Sequence, residues 1–269
     1  MESSQVLQKQ RYHLLDTLRG ITLISMIVYH GTWDLVYLYG VDWNWYRGIY
    51  AYAWQQSICQ TFILLSGFCW CFGRQHFRRG LMVFGGGALV TVVTMLFMWE
   101  DRVLFGVLTM LGSCMILMIP LDKWFRNKNA WVGFSVSGAL FVFTRYINSG
   151  YLCFNIWNLW KIPEKIYNVL YRGLFETYLG FMDPDPKVFF STDYFSLFPW
   201  FFLFLTGYFV YQLMQRYKVF EKERVKTILQ FNMPPLSFIG RHSLIIYMLH
   251  QPVLYGIFQL EFILLMKQA

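Results

Sequence analysis

Arg11-Tyr12-His13-Leu14-Leu15-Asp16-Thr17-Leu18-Arg19-Gly20 opens the first apolar segment of the chain, and His30-Gly31-Thr32-Trp33-Asp34-Leu35 closes it. Asp16, Arg19, His30 and Asp34 therefore fall inside one stretch long enough to cross a bilayer. A charged side chain at mid-bilayer depth costs about 2.5–3.5 kcal/mol on insertion scales. A plain anchor has no use for four such groups. Polar side chains kept in a membrane helix face one another or a cavity, so this segment is predicted to span and to carry chemistry.

Composition extends that reading to the whole chain. Its 269 residues are 57% hydrophobic and only 14% charged, and mean hydropathy is +0.39. Soluble domains are about 45–50% apolar and about 25% charged. The expected fold is an all-α polytopic membrane bundle, one domain over 1–269, with spans near 13–39, 54–73, 80–99, 103–121, 130–149, 194–215 and 238–264. Arg11 precedes the first span. Arg74, Arg78 and Arg79 follow the second, Lys123, Arg126 and Lys128 the fourth, and Arg216, Lys218, Lys222, Arg224 and Lys226 the sixth. Only Arg47 and Arg102 occupy the opposite short loops. That alternation predicts a multi-pass protein of the cytoplasmic (inner) membrane, N-terminus inside and C-terminus outside. It also accounts for the net charge of +8 without nucleic acid. Met1-Glu2-Ser3-Ser4-Gln5 has no signal-peptide character, so the first helix is expected to be retained.

The stretch 150–193 breaks the pattern of short loops. Apolar residues at helical spacing between Ile166 and Phe181 predict an interfacial or a re-entrant helix on the outer side. Asp183-Pro184-Asp185-Pro186 reads as a turn. Gly85-Gly86-Gly87 lacks the context of a phosphate loop and reads as close helix packing. Cys59, Cys69, Cys71, Cys114 and Cys153 read as small packing residues, and no metal site is expected.

Arg19 and His30 are eleven residues apart. Eleven steps of 100° leave them about 20° apart around the helix and about 16 Å apart along it. Asp34 lies one further turn along the same face, where a carboxylate can fix an imidazole tautomer. A cation at the mouth and a histidine–carboxylate pair within suit an elongated anionic cofactor arriving from the cytosol. The plainer alternatives are an Arg19 that snorkels to the interface and a His30 that bonds a neighbouring helix. In the last span, Pro252 cannot donate to Met248, which predicts a kink or loosening beside His250 and Gln251. Arg241 and His242 stand at its cytoplasmic edge. Asp193 opens the sixth span, as part of an outer mouth or as a charge favoured by a helix N-terminus.

These residues resemble a family. Leu15-Asp16-x-x-Arg19-Gly20 followed by His30 looks like the first helix of the transmembrane acyltransferase superfamily. Ser66-Gly67-Phe68 is similar to the end of helix two in acyltransferase family three. Tyr29-His30-x-x-Trp33-Asp34, Phe105-Gly106, Asp193-Tyr194-x-x-x-x-Pro199-Trp200 and Ser243-Leu244-x-x-Tyr247-x-x-His250-Gln251-Pro252 resemble bacterial proteins related to the catalytic domain of heparan-α-glucosaminide N-acetyltransferase.

The resemblance implies acetyl transfer from cytosolic acetyl-CoA to a hydroxyl or amine, commonly of a cell-envelope glycan. Arg19 and His30 take the family motif's Arg and His, with His30 as general base or acyl carrier; on this reading Asp34 would orient His30, and His250 would stabilise the oxyanion or bind the acceptor. Arg11, Arg19, Arg74 and Arg241 would serve the cofactor phosphates, and Asp193, Trp200 and Gln251 the acceptor. Trp157, Trp160, Tyr167 and Tyr178 would form an acceptor mouth or an interfacial aromatic belt. Animal lysosomal members carry asparagine where His30 aligns, so heparan specificity is not carried over. The contrasting reading is a small transporter or proton-coupled permease using the same Asp, Arg and His set. The lipid bilayer is a partner on either reading, and the oligomeric state, a homodimer included, stays open.

Overall fold

The computed structural model describes residues 12–154 and 157–266. They form α1 (His13–Tyr37), α2 (Ile49–Trp70), α3 (His76–Phe97), α4 (Val107–Phe125), α5 (Ala130–Phe143), β1 (Tyr151–Phe154), β2 (Trp157–Lys161), α6 (Glu164–Leu170), α7 (Leu174–Leu179), α8 (Trp200–Arg216), α9 (Glu223–Gln230), α10 (Pro234–Arg241) and α11 (Ser243–Met266). Seven helices of 14 to 25 residues coincide with the seven predicted stretches. Among the described residues, four segments, His76–Phe97, Val107–Phe125, Ala130–Ser149 and Ser243–Leu260, are long and apolar enough to cross a membrane by length and composition. Charged groups dilute the hydropathy of α1, glutamines that of α2, and α8 has 17 residues.

The chain divides into two compact units, Met1–Ile58 with Lys218–Ala269, and Cys59–Tyr217, the division falling within α2. In the first unit α1 and α10 cross at glycines. A Cβ on Gly20 would lie 2.0 Å from the Leu236 carbonyl oxygen, and one on Gly240 would lie 1.8 Å from that of Asp16. Only glycine permits backbones this near. The crossing carries a polar seam. Ser237 Oγ donates to Asn232 Oδ1 at 2.6 Å and is 2.7 Å from Thr17 Oγ1. Around it Leu23, Met26 and Ile58 pack with Tyr29, Trp54, Ile246 and Tyr247. Val36, Tyr46 and Ala51 form a second cluster against Trp33 and Trp54.

The second unit repeats the device. A Cβ on Gly67 would meet the Phe204 carbonyl oxygen at 2.0 Å, and one on Gly207 that of Leu64 at 2.2 Å, so Ser66-Gly67-Phe68 marks the crossing of α2 with α8. Of the glycine triplet, Gly87 lies against Thr109 of α4, and Gly85 has nothing near it. Tyr208 donates to buried Asp122 at 2.7 Å, which also pairs with Arg126. Among the described cysteines Cys69 and Cys114 are buried free thiols.

Three local expectations change. The stretch 150–193 contains an antiparallel hairpin, β1 with β2, besides helices. Its helical stretch is two short helices, because Gly173 sits at φ +93, which stops α6 from running into α7. Tyr171 fastens this turn by donating to the Ile147 carbonyl, and burial pushes its phenol up to about 12. The last predicted span divides at His242, whose ring and backbone both turn to the Phe238 carbonyl. α11 is helical across Pro252, beside which the kink or loosening is expected.

Candidate functional site

The first unit assembles the polar residues of α1 and α11. Asp34 is fully buried, with 0% exposure. Its Oδ1 accepts a hydrogen bond from Gln251 Nε2 at 2.8 Å, joining residues 217 positions apart. One turn back on α1, the His30 ring lies against that of His250, the residue before Gln251, with centroids 5.0 Å apart and the planes tilted by 54°. Gly31, between His30 and Asp34 on the α11 side, lets the Leu254 side chain pack against the α1 backbone. Helical spacing explains the set: His30 and Asp34 are i and i+4, while Tyr247, His250 and Gln251 are i, i+3 and i+4.

The His250 ring has a defined orientation. Its Nδ1 bonds the Tyr247 carbonyl oxygen. A carbonyl only accepts, so Nδ1 holds the proton, and in the neutral ring Nε2 carries the lone pair. Tyr247 enters the site through its backbone, which side-chain chemistry does not announce.

An aromatic wall stands beside the histidines. The Tyr29 ring is 5.9 Å from His30, 5.3 Å from Trp54 and 5.3 Å from Tyr46. Trp54 Nε1 donates to Ser25 at 2.8 Å, and Tyr46 donates to the Tyr29 carbonyl at 3.0 Å. The sequence signal for this wall is Tyr29, Trp33 and Tyr37 at steps of four, a stripe next to the polar one.

Of the four predicted phosphate-binding cations, three are described. Arg19 lies 3.7 Å from Asp16 on its own helix. Arg241 is exposed, and its Nε donates to the Ser237 carbonyl at 3.2 Å. Arg74 is exposed in the second unit, and Arg11 lies outside the described residues.

Asp193 and Trp200 also belong to the second unit. Asp193 Oδ2 sits over Gly106, the N-cap of α4, a position favoured by that helix's dipole. Trp200 is buried between Phe195 and Phe141, with the Arg145 guanidinium 5.8 Å from its ring. Of the outer aromatic residues, Trp160 is exposed. Tyr167 stacks on Tyr171 at 4.1 Å, Tyr178 bonds Ser113, and the Trp157 side chain lies outside the described residues. This unit also has a cavity of about 490 Å³ where Trp70, His76, Asp122, Lys123 and Arg126 meet.

The Asp34–Gln251 bond is open to direct test. Gln251→Leu removes the Nε2 donor from a buried carboxylate while keeping side-chain bulk. The expected loss is about 1–3 kcal/mol of stability, read as a lowered thermal midpoint of the purified protein in lipid nanodiscs. Gln251→Glu should be worse, because it sets two carboxyl groups against each other.

Comparison with protein families matches residues 11–252 to the family described as heparan-alpha-glucosaminide N-acetyltransferase, catalytic. That range takes in His30, Asp34, His250 and Gln251. Neither curated proteins nor solved structures give a match.

Proposed function

Because the chain belongs to the heparan-alpha-glucosaminide N-acetyltransferase catalytic-domain family, we propose that it moves an acetyl group from cytosolic acetyl-CoA to a hydroxyl or amine of a cell-envelope glycan. The observation that carries this reading is the pairing of His30 with His250 beside the Asp34–Gln251 bond. Family membership favours transfer over the permease alternative. The chain would act as one domain with seven spans in the cytoplasmic membrane, its basic loops inside.

In the proposed step the acceptor oxygen or nitrogen attacks the thioester carbonyl. The new C–O or C–N bond forms as the C–S bond breaks. His30 takes the acceptor proton as general base and returns it to the departing thiolate. His250, with Nδ1–H held by Tyr247, offers Nε2 to share that proton or to receive the acceptor's hydrogen bond. Asp34 orients the histidine pair through its position on the same face of α1. Arg19 and Arg241 hold phosphate oxygens of the cofactor, Arg19 by exchanging its contact with Asp16. Arg11 adds positive charge on the cytoplasmic side, and Gln251 serves the acceptor; Arg74, Asp193 and Trp200 lie in the second unit.

The test uses the purified chain in lipid nanodiscs with acetyl-CoA labelled in the acetyl group. Label should pass to an amino sugar such as methyl α-glucosaminide, with release of free CoA. Failure of the wild-type protein to bind, hydrolyse or transfer would exclude the acetyltransferase reading.

A further inference from the structure

The connection between α1 and α2 follows Asp34 by little more than one turn, and it is built as a rigid shelf. Backbone bonds from Tyr46 to Trp43 and from Gly48 to Trp45 close a single 3-10 turn. Tyr46 plugs that turn into the unit: it is 4% exposed, and its hydroxyl bonds the Tyr29 carbonyl. Yet Trp43 and Trp45 remain 38% and 47% exposed, their rings stacked at 6.4 Å and 30°.

At the edge of the shelf Arg47 faces Asp42 at 3.7 Å, the two side chains 52% and 74% exposed. Inward, Trp45 stacks on Trp54 at 6.4 Å. Trp54 touches Tyr29, and Tyr29 touches His30. An unbroken row of rings thus leads from the exposed indoles to the histidine pair, all within the first unit.

We propose that Trp43 and Trp45, with the Asp42–Arg47 pair at their edge, dock a pyranose unit of the acceptor. A pyranose presents a face of C–H groups bordered by hydroxyls. An indole covers the first, while an adjacent carboxylate and guanidinium accept from and donate to the second. An acyl chain would find no use for the charged pair. This inference rests on the acetyl-transfer reading of the histidine site and adds where the sugar of its acceptor docks. It moves acceptor recognition to the α1–α2 connection from the 150–193 aromatic residues.

The experiment uses nanodiscs, because glycoside detergents would compete for the shelf. Saturation-transfer NMR with methyl α-glucoside reads binding. Kinetics with methyl α-glucosaminide and with 2-methoxyethylamine compare a sugar amine with a plain one. Trp43→Ala/Trp45→Ala should abolish the saturation transfer and raise KM for the sugar amine about tenfold, as expected for losing two ring contacts. KM for the plain amine should not follow. Trp43→Phe/Trp45→Phe should restore most of the sugar affinity, which excludes simple misfolding.

Wild-type protein without saturation transfer, an alanine variant that binds sugar normally, or equal losses for both amines would overturn the proposal. Equal losses would mark the indoles as a bilayer-anchoring belt. Sugar binding by a wild-type protein that transfers no acetyl group would sustain the shelf and reject the acetyltransferase reading.

Discussion

His30→Ala is expected to lower the rate of acetyl transfer about 100- to 10,000-fold, the usual contribution of a positioned general base. Binding of acetyl-CoA should persist, since the phosphate contacts proposed for Arg19 and Arg241 do not involve the imidazole. Two measurements separate chemistry from folding: single-turnover transfer of labelled acetyl, and equilibrium binding of labelled acetyl-CoA by the same nanodisc sample. A His30→Ala protein that transfers at the wild-type rate would remove His30 from the mechanism and leave His250 as the candidate base. Loss of cofactor binding together with rate would instead mark His30 as a packing residue of α1. His250→Ala supplies the comparison. If the two rings share one proton, the double variant should be little slower than the worse single variant, because groups that act as a unit are not additive.

Gly240→Val should have the largest effect on folding. A Cβ there would lie 1.8 Å from the Asp16 carbonyl oxygen, and the atoms it meets are backbone. No rotamer change relieves that clash, so α10 must withdraw from α1. Withdrawal opens the facing contact at Gly20 and lengthens the 2.7 Å link between Thr17 and Ser237. Overpacking of this kind costs about 1–3 kcal/mol or more, and the lost polar seam adds to it. The expected result is a sharp fall in monodisperse yield and a lowered thermal midpoint. Gly85→Ala is the contrasting variant: a Cβ there meets nothing within 4 Å, and mid-helix replacement of glycine by alanine should stabilise by about 0.5–1 kcal/mol. If Gly240→Val matched the wild type in midpoint and yield, the crossing would not be the close contact it is drawn as.

Much of this was legible along the chain. Hydropathy and loop charge located the long helices, because both depend on residues near one another in sequence. Gly87 read correctly as a place of close helix approach; that Gly67 lies where α2 crosses α8 is seen only in the structure. The polar face of α1 followed from arithmetic, since Arg19, His30 and Asp34 share one helix. Local rules failed where a single residue redirects the backbone. Gly173 splits the helical segment of the 150–193 stretch, and His242 divides the last predicted span.

The sequence by itself determined a membrane helical protein, its family, and two helices bearing histidines. Only the tertiary structure decided how they meet. Asp34 bonds Gln251 across 217 positions, His30 faces His250, and the indoles of the α1–α2 connection line up behind Tyr29. The physical reason is that a lipid-facing and a protein-facing surface are equally apolar, so hydropathy does not say which helix is the neighbour. That choice is made by shape, above all by the glycines at which α1 and α10 come within backbone contact.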